Sequence, residues 1–550
     1  MRKRKESDGL TVNAIAGTHV VQLGMDLTAN RRRHCLGFAI QREDHTEDER
    51  AWLRGMKTFE ETDPKLGPGE TVSSREHPFQ DYQWADYSAK PDHDYTYSVV
   101  PLTGTPSKLR EGNATSVRVQ TESELGDTHS VFFNRGAIAS QEYARRFWNI
   151  APDKLEADRQ AAAYRWLSRG LLEAMLAFIG RATGPEHSLH AAIYEFNRAE
   201  VLLAFKAAHQ RGAKVDVLYD GIPGDKKAVH ANEEAIDKHK IKGICHPRRR
   251  GRLMHNKFIV LSENDQPIAV WTGSTNISEN GIFGQLNVGH QVEDRTTADS
   301  YKKYWQKLRD DDPTVEAMRP WTDQNSPQLS DLPPVGTSTL VSPRTGLKVL
   351  KAYAGIADAE KPLFMTFAFG MHQFFRDVYQ RDDDVLRYAL MEQEGNGASL
   401  PKAREFIRKL RRRDNVVVAV GKHAKANALD RWVQERAFGI GTFVDWVHTK
   451  FMLVDPLGQD PIVVTGSANF SEASTSDNDE NMLVIRGDER VADIYLGEFQ
   501  RCFRHHTFRE SLTFGERTSS YLKTDPADWQ RGHFDDNDDR SRRRRYFART

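Results

Sequence analysis

The chain has few cysteines and no long apolar segment. Its three cysteines, Cys35, Cys245 and Cys502, are scattered over 550 residues. An odd number at such spacing indicates neither a disulfide framework nor a zinc knuckle, and it is typical of a reducing compartment. The best apolar stretch, LLEAMLAFIG, is interrupted by Glu173 and falls short of a membrane span of about 20 residues. We therefore expect no transmembrane segment.

The chain also lacks a net charge. Lysine plus arginine and aspartate plus glutamate number 78 each, so any attraction for a polyanion must come from local patches. The N-terminus, MRKRKESDGL, is basic, but Ser7 and Asp8 follow where a secretory signal needs its apolar segment. These observations predict a cytoplasmic protein.

The residue pattern divides the chain into segments of different character. Short strands separated by turns, such as DYTYSVVPL, predict a small β-sandwich that resembles immunoglobulin or fibronectin type III domains. From about 155 onward strands alternate with helices, which predicts an α/β fold; AYRWLSRGLLEAMLAFIGRA, for example, reads as one amphipathic helix. The predicted boundaries are a disordered basic tail at 1–15, the β-sandwich at 16–110, a linker at 111–154, a first α/β unit at 155–312, a linker at 313–345, a second unit at 346–515 and a charged tail at 516–550.

The two α/β units contain the same pattern of polar residues. HNKFIVLS at 255–262 matches HTKFMLVD at 448–455, and TGSTNISE at 272–279 matches TGSANFSE at 465–472. An ungapped comparison of 255–279 with 448–472 gives 11 identities in 25 positions. Because five polar residues stand in register twice around apolar strands, the pattern indicates an internal duplication.

This doubled pattern of His-x-Lys followed by Gly-Ser-x-Asn resembles the phospholipase D superfamily. The resemblance covers about 155–510 and implies two α/β/α units related by a pseudo-twofold axis, with both motifs in one active site. It also implies that one chain contains the complete site, so that a monomer suffices for activity.

The resemblance implies a role for each motif residue. Lys257 and Lys450 would hold the non-bridging oxygens of a phosphodiester, so that neither a metal ion nor another cofactor is expected. Since the reference pKa of histidine is near 6.5, His255 and His448 can divide covalent attack and proton transfer between them. Neutral side chains would follow the charge onto the phosphate oxygens in the transition state; they are Ser274, Asn276, Ser467 and Asn469.

The two copies differ at two of these positions. Asp455 completes the motif of the second copy, whereas Ser262 stands at that place in the first. Glu480, eleven residues after Asn469, occupies the place where related nucleases carry a carboxylate that orients the catalytic histidine. Asn287 is its counterpart in the first copy and is predicted to contribute to substrate binding.

These differences leave the roles of the two histidines open. Analogy with the family makes His255 the nucleophile and His448 the acid. A Glu480 partner for His448 would instead make His448 the more basic ring, because a carboxylate supports an imidazolium better than an amide does.

The residues around the first motif give the prediction of the substrate. HPRRRGRLMHNKF packs four arginines directly before a catalytic strand, which predicts either a basic lip for a phosphate backbone or a solvated loop; they are Arg248, Arg249, Arg250 and Arg252. MHNKF and TGSANFSE also resemble the bacterial Nuc-type endonucleases. Four aromatic residues near the ends of matched strands can stack bases or fill the core; they are Tyr194, Phe196, Phe367 and Phe369.

Three hypotheses about function follow from the sequence. The first is a metal-independent nuclease that cleaves DNA or RNA through a phosphohistidine. The second is a phospholipase D that hydrolyses or exchanges phospholipid headgroups. The third is a binding protein whose degenerate site no longer turns over, although the histidines and lysines of both copies are intact.

Overall fold

A computed structural model describes residues 1–67, 70–136, 141–148, 150–223, 226–329, 332–395, 399–421, 446–513 and 521–550. Within these ranges no helix is both long and apolar enough to cross a membrane.

The N-terminal region contains two larger antiparallel sheets and a separate two-stranded one. Its elements are β1 (Arg2–Ser7), β2 (Leu10–Ala16), β3 (Val21–Leu27), α1 (Ala29–Arg32), β4 (Gly37–Asp44), β5 (Glu49–Trp52), β6 (Arg54–Gly55), β7 (Val72–Ser73), β8 (Gln83–Asp86), β9 (Asp94–Thr105), β10 (Lys108–Glu111) and β11 (Thr115–Gln120). One sheet has the order β1-β2-β3-β8, and the other has the order β10-β9-β4-β5 with β11 also paired to β9.

The two sheets pack around one apolar core. Val12 and Leu23 of the first sheet lie in the same buried cluster as Ile40 and Tyr97 of the second. This arrangement confirms the predicted β-sandwich, while its resemblance to immunoglobulin or fibronectin type III domains stays a prediction.

The N-terminal residues differ from the predicted disordered tail. Residues Arg2–Ser7 form a strand that pairs with Leu10–Ala16, and the Arg2 side chain donates a hydrogen bond to Asp493 at 2.7 Å. A strand at the edge of a sheet tolerates a run of charged side chains, because one side of it faces solvent. The high charge of this segment therefore does not prevent it from folding.

The C-terminal segment also differs from the predicted charged tail. Its described part contains α14 (Pro526–Gln530) and α15 (Asp539–Ala548). The Trp529 ring lies in the core of the β-sandwich, and the Phe547 carbonyl accepts a hydrogen bond from the Asn13 side chain at 2.8 Å. Arg544 forms an ion pair with Asp26. Because such pairs neutralise its arginines, this segment packs against the sandwich.

The first α/β unit contains one mixed sheet of seven strands. Its elements are β12 (His129–Phe133), α2 (Gln141–Phe147), α3 (Ala157–Ser168), α4 (Leu171–Gly180), β13 (His187–Ile193), α5 (Ala199–Gln210), β14 (Lys214–Asp220), α6 (Lys226–His239), β15 (Cys245–Arg248), β16 (Lys257–Glu263), β17 (Gln266–Gly273), β18 (Val288–Val292) and α7 (Arg295–Asp311). The strand order is β12-β18-β17-β16-β13-β14-β15. Strands β13, β14 and β15 are parallel, and the other neighbours pair antiparallel.

The helix predicted near the start of this unit is two helices. α3 ends before Arg169 and α4 begins after Gly170, and both intervening residues have left-handed backbone angles, with φ of 47° and 87°. A left-handed residue ends an α-helix, and glycine adopts this conformation without a steric penalty. The apolar periodicity continues across the break, so the sequence pattern alone does not reveal it.

The second unit repeats this sheet. Its elements are α8 (Val315–Asn325), β19 (Gly336–Ser342), α9 (Lys348–Ala357), β20 (Leu363–Phe367), α10 (Gln373–Tyr379), β21 (Arg387–Met391), α11 (Leu400–Leu410), β22 (Val416–Val420), β23 (Phe451–Val454), β24 (Ile462–Gly466), α12 (Glu472–Ser476), β25 (Glu480–Arg486) and α13 (Glu489–Thr513). The order β19-β25-β24-β23-β20-β21-β22 is that of the first sheet, strand for strand.

Both predicted linkers contain strands that belong to these sheets. The segment 111–154 includes β12, which pairs with β18, and the segment 313–345 includes β19, which pairs with β25. Each is an edge strand, and it precedes the other strands of its sheet in sequence. The apolar run of each strand is short, and polar flanks concealed it in the sequence.

The two sheets face each other across a shared core. Buried residues from both units, including Phe258, Tyr301, Phe364 and Phe451, form one cluster. Two isolated parallel bridges also join the units: Met254 pairs with Asp479, and Leu286 pairs with Val447. Met254 and Val447 hold equivalent positions in the two units, and so do Asp479 and Leu286. The two bridges are therefore related in the way that the predicted pseudo-twofold axis requires.

Candidate active site

His255 and His448 face each other across the boundary between the two units. Each lies just before a central strand, β16 or β23, and both side chains are buried. Their ring centroids are 6.4 Å apart and the ring planes are inclined by 73°. The two imidazoles therefore lie on opposite sides of one site between the units.

The two motif lysines lie beside the histidines in equivalent positions. Nζ of Lys257 donates to the carbonyl of His255 at 2.6 Å, and Nζ of Lys450 donates to that of His448 at 2.5 Å. Burial lowers the pKa of Lys257 to about 7. Burial and the charge of Lys257 lower the pKa of Lys450 well below its usual value.

The histidines experience the same environment. Burial, reinforced by the two lysines, lowers the pKa of His255 and the pKa of His448 well below the usual value. An anion between these four basic groups would oppose their mutual repulsion and restore the charged form of the lysines. The electrostatics of the site therefore suit a phosphate group.

Glu480 contacts His255, not His448. Its carboxylate lies 2.9 Å from Nδ1 of His255, although the two residues belong to different units. When this carboxylate is ionised it only accepts hydrogen bonds, so Nδ1 donates and Nε2 of His255 is the unprotonated nitrogen. Burial raises the pKa of Glu480 to about 7, and Lys257 opposes this rise. The expectation that Glu480 supports His448 is wrong, because the carboxylate reaches across the pseudo-twofold axis.

Asn287 holds the corresponding position next to His448. Its Nδ2 donates to the carbonyl of Gly281 at 2.8 Å, so its Oδ1 faces Nδ1 of His448 at 2.9 Å. Asn287 is buried behind the ring and not in contact with the space between the histidines. The structure therefore makes it a partner of His448, where the sequence suggested a contact with substrate.

The motif serines support these two partners. The hydroxyl of Ser274 donates to Oδ1 of Asn287 at 2.8 Å, and that of Ser467 donates to Glu480 at 2.6 Å. Both hydroxyls thus point behind the histidines, where they orient the carboxylate and the amide. The expectation that the serines donate to the phosphate itself does not agree with this geometry.

The motif asparagines differ from the serines. Oδ1 of Asn276 and Oδ1 of Asn469 are buried, and neither has a hydrogen-bond partner within the described ranges. Buried amide groups normally have partners. A donating or accepting role of these two amides toward a substrate stays a prediction.

Two buried carboxylates that the sequence reading missed hold the segments before the histidines. Asp220 accepts a hydrogen bond from the backbone N–H of Met254 at 3.0 Å, and Glu392 accepts one from that of Val447 at 2.8 Å. Asp220 ends β14 and Glu392 directly follows β21, its equivalent in the second unit. Each copy has an acidic residue at the end of the same strand, and a comparison of the two repeats in the sequence could have found this pair.

Asp455 lies away from the site. It follows β23, whose opposite end lies next to His448, and it forms an ion pair with Lys361, with Nζ 3.5 Å from Oδ2. Seven residues of extended chain span about 23 Å. The prediction that Asp455 is catalytic does not agree with this position, and Ser262 of the first copy is likewise buried at the far end of β16.

Only part of the predicted basic lip is exposed. Arg248 is fully buried, and its guanidinium donates to Asp479 at 3.0 Å and to Asp312 at 2.5 Å. Arg249, Arg250 and Arg252 are exposed. Arg248 is therefore a structural anchor, and the other three arginines alone remain available to a ligand.

One of the four aromatic residues lies beside a catalytic-motif histidine. The ring of Tyr194 is half-buried, with its centroid 5.0 Å from that of His255 and 5.0 Å from Nζ of Lys257. Phe196 and Phe367 are buried in the cores of their units, and Phe369 is partly exposed. Tyr194 is the member of this set that a substrate in the site would meet.

Known proteins share this architecture. Two segments, 175–309 and 389–503, match the family model described as "Cardiolipin synthase, PLD-like domain", and each lies within one of the two α/β units. The fold and the site are those of two phospholipase D-like domains. The two α/β units belong to the phospholipase D superfamily, whose members are phosphodiesterases and phosphotransferases, as the motifs predicted.

Solved structures show more distant likenesses. Polyphosphate kinase from Porphyromonas gingivalis is 12% identical, with 60% of this chain and 45% of that chain covered and a TM-score of 0.39. This chain thus spans less than half the length of that kinase. Phosphatidylserine synthase from Haemophilus influenzae Rd KW20 is 12% identical over 62% and 85% of the two chains, with a TM-score of 0.44.

Nuc from Salmonella typhimurium is 22% identical over 25% of this chain and 84% of that chain, with a TM-score of 0.21. Since all three TM-scores are below 0.5, we base no argument about the substrate on them. No match was found among curated protein sequences.

Proposed function

We propose that this protein is a phosphodiester hydrolase in which His255 is the nucleophile and His448 the general acid and base. The observation that supports the assignment is the hydrogen bond from Nδ1 of His255 to Glu480, opposite a second histidine at a ring separation of 6.4 Å. A carboxylate partner stabilises the cationic ring that forms when Nε2 is phosphorylated.

The first step forms the covalent intermediate. Nε2 of His255 donates its electron pair to phosphorus, and the bond between phosphorus and the leaving oxygen breaks. His448, which becomes an imidazolium when the phosphate anion binds between the four basic groups, transfers its Nε2 proton to that oxygen, so that an alcohol leaves. Because Asn287 supports an imidazolium less than a carboxylate would, His448 releases this proton readily. Lys257 and Lys450 bind the non-bridging oxygens and neutralise their charge.

The second step regenerates the enzyme. Neutral His448 takes a proton from water, the water oxygen attacks phosphorus, and the bond to Nε2 of His255 breaks. The products are a phosphomonoester and the original protonation state of both rings. Both motif copies are present in the same chain, so we propose that a monomer is active and that the reaction needs no divalent metal.

We propose nucleic acid as the substrate class. Arg249, Arg250 and Arg252 are exposed on the segment that leads into His255, where they can contact phosphates that flank the scissile one. Tyr194 offers a ring beside the same histidine on which a base can stack. The reaction is expected in a reducing, cytoplasmic environment, in agreement with three buried free cysteines.

The matched family model supports a second candidate. Its description names a cardiolipin synthase, so we consider a transfer or hydrolysis of phospholipid headgroups by the same histidines. The chemistry of the two steps is unchanged if an alcohol replaces water. A binding protein without turnover is the weakest of the three hypotheses, because the partners of both histidines are in place.

One assay separates these candidates. Purified protein is incubated in EDTA with labelled single-stranded and double-stranded DNA, with RNA, and with vesicles of phosphatidylcholine or phosphatidylglycerol. Cleavage of polynucleotide without lipid turnover is the expected result. Lipid hydrolysis or exchange without polynucleotide cleavage would reverse the assignment of substrate, and no turnover of any diester would favour the binding protein. His255→Ala is the control for a contaminating activity.

A further inference from the structure

Arg248 ends the strand β15, seven residues before His255, and its charge is completely enclosed. Its side chain and that of Asp479 are both 0% exposed, and Nε of Arg248 lies 3.0 Å from Oδ2 of Asp479. Nη1 donates to Asp312 at 2.5 Å, which leaves the arginine between two carboxylates. Removing one partner of a buried ion pair is strongly destabilising, because a charge then stays buried without compensation.

Asp479 also holds the segment before His255 through its backbone. The N–H of His255 donates to the carbonyl of Asp479 at 3.0 Å, and the N–H of Asp479 donates to the carbonyl of Leu253 at 2.9 Å. The next residue, Glu480, accepts the hydrogen bond from the His255 ring. Two successive residues of the second unit thus bind both ends of the segment 248–255 and the ring that it carries.

The described residues of the second copy contain no such pair beside His448. Leu286 precedes Asn287 at the position that Asp479 holds before Glu480. By the register of the parallel strands, Asp220 aligns with Arg248, and Gly421, which follows Val420, stands at the equivalent place of the second sheet. The buried ion pair therefore supports His255, and within the described part of the chain it has no equivalent at His448.

We propose that the Arg248–Asp479 ion pair is a positioning device that holds the His255 ring against Glu480 in the orientation needed for attack on phosphorus. This inference rests on the proposed function for its catalytic consequence, but its structural part does not depend on the substrate. Neither residue touches the space between the two histidines. They act through the segment 248–255 and through Glu480.

The test uses Arg248→Gln, Asp479→Asn and the double variant in the full-length chain. The substrate is bis(p-nitrophenyl) phosphate, a small diester that does not need the exposed arginines. A displacement of about 1 Å costs on the order of 10²-fold in rate, so we expect a loss of this size in kcat with little change in KM. Formation of the phosphoenzyme should slow, while its hydrolysis, which depends on His448, should not. The double variant should be no slower than the slower single variant, because either change removes the same interaction.

A second measurement reports the position of the ring without any turnover. A histidine Nδ1–H that donates to a carboxylate gives a proton resonance at unusually low field. We expect this resonance in the wild-type protein, its absence in His255→Ala and Glu480→Gln, and its loss or upfield shift in Arg248→Gln and Asp479→Asn. Arg387→Gln is the matched control: Arg387 is also buried in an ion pair, with Asp383, but at the opposite end of β21 from the site. It should keep both the resonance and kcat.

The outcomes separate this inference from the proposed function. Folded variants with the wild-type resonance and the wild-type rate of phosphoenzyme formation would overturn the positioning role. If the resonance responds as expected but the wild-type protein forms no phosphoenzyme, the positioning role holds and the proposed function fails. If Arg248→Gln does not fold, two milder variants replace it in the test. Asp479→Asn keeps a hydrogen-bond acceptor for Arg248, and Arg248→Lys keeps the positive charge. Equal losses in Arg387→Gln would assign the effect to general destabilisation.

Discussion

The Glu480 carboxylate and the His255 ring form a hydrogen bond of 2.9 Å between the two halves of a duplicated chain. The equivalent contact, between Asn287 and His448, is also 2.9 Å but has an amide in place of the carboxylate. Two rings of the same chemical type therefore have unequal partners. This difference makes the two histidines unequal, since the ring with the carboxylate partner is better suited to carry a positive charge and a phosphoryl group.

Glu480→Gln should slow phosphoenzyme formation, because an amide does not compensate the charge of a phosphorylated imidazole. Electrostatic partners of this kind contribute on the order of 10²–10³-fold to the rate. The measurement is the single-turnover rate with bis(p-nitrophenyl) phosphate. Asp455→Asn makes the same change of carboxylate to amide at the far end of β23, and it should leave the rate unchanged. Equal effects of both substitutions would contradict the structure.

His255→Ala and His448→Ala should fail at different steps. p-Nitrophenolate leaves without an acid, so His448→Ala should still release one equivalent of it and then stop as phosphoenzyme. His255→Ala should give no burst and no covalent species. Stopped-flow absorbance and mass spectrometry of the quenched protein distinguish the two variants. A burst from His255→Ala with none from His448→Ala would exchange the two roles.

Binding of a diester should weaken as the pH rises through about 7. Burial lowers the pKa of Lys257 to about 7, so the side chain is an ammonium below this pH and loses its proton above it. Only the charged form attracts the phosphate, and KM should therefore rise by up to about tenfold per pH unit on the alkaline side. Lys257→Arg should flatten this rise, since a guanidinium stays charged. A constant KM across the same range in the wild-type protein would exclude this role for Lys257.

Replacing Arg249, Arg250 and Arg252 together by glutamine should weaken the binding of polynucleotide. Each arginine that neutralises a phosphate contributes about 0.7–0.9 to the slope of log affinity against log salt concentration. The triple variant should show a raised KM for DNA or RNA and a smaller salt dependence. Hydrolysis of bis(p-nitrophenyl) phosphate should not change, because this reporter is too small to reach the arginines. An unaltered salt dependence would show that the three arginines are only a solvated loop.

The local pattern of residues was enough to predict the duplication, the two α/β units, and the pairing of a histidine with a lysine in each copy. These features depend on the spacing of residues along one strand and on the short segments that connect neighbouring strands. His255 and Lys257 flank the start of β16 in any fold that makes this strand. The period of apolar residues also separated the β-rich region from the α/β region, because alternation in a strand and recurrence in a helix are local properties.

The partners of these residues were decided by tertiary structure. Glu480 supports His255 because Met254 pairs with Asp479 across the pseudo-twofold axis. The spacing of residues along the chain does not show that a side chain of one unit contacts a histidine of the other. Arg248 has the sequence context of an exposed basic loop, but two carboxylates from distant segments bury it. The charged C-terminal segment packs on the β-sandwich for the same reason. A charged residue is compatible with burial when the fold supplies its counter-charge, and for Arg248 and Arg544 the counter-charge comes from residues remote in sequence.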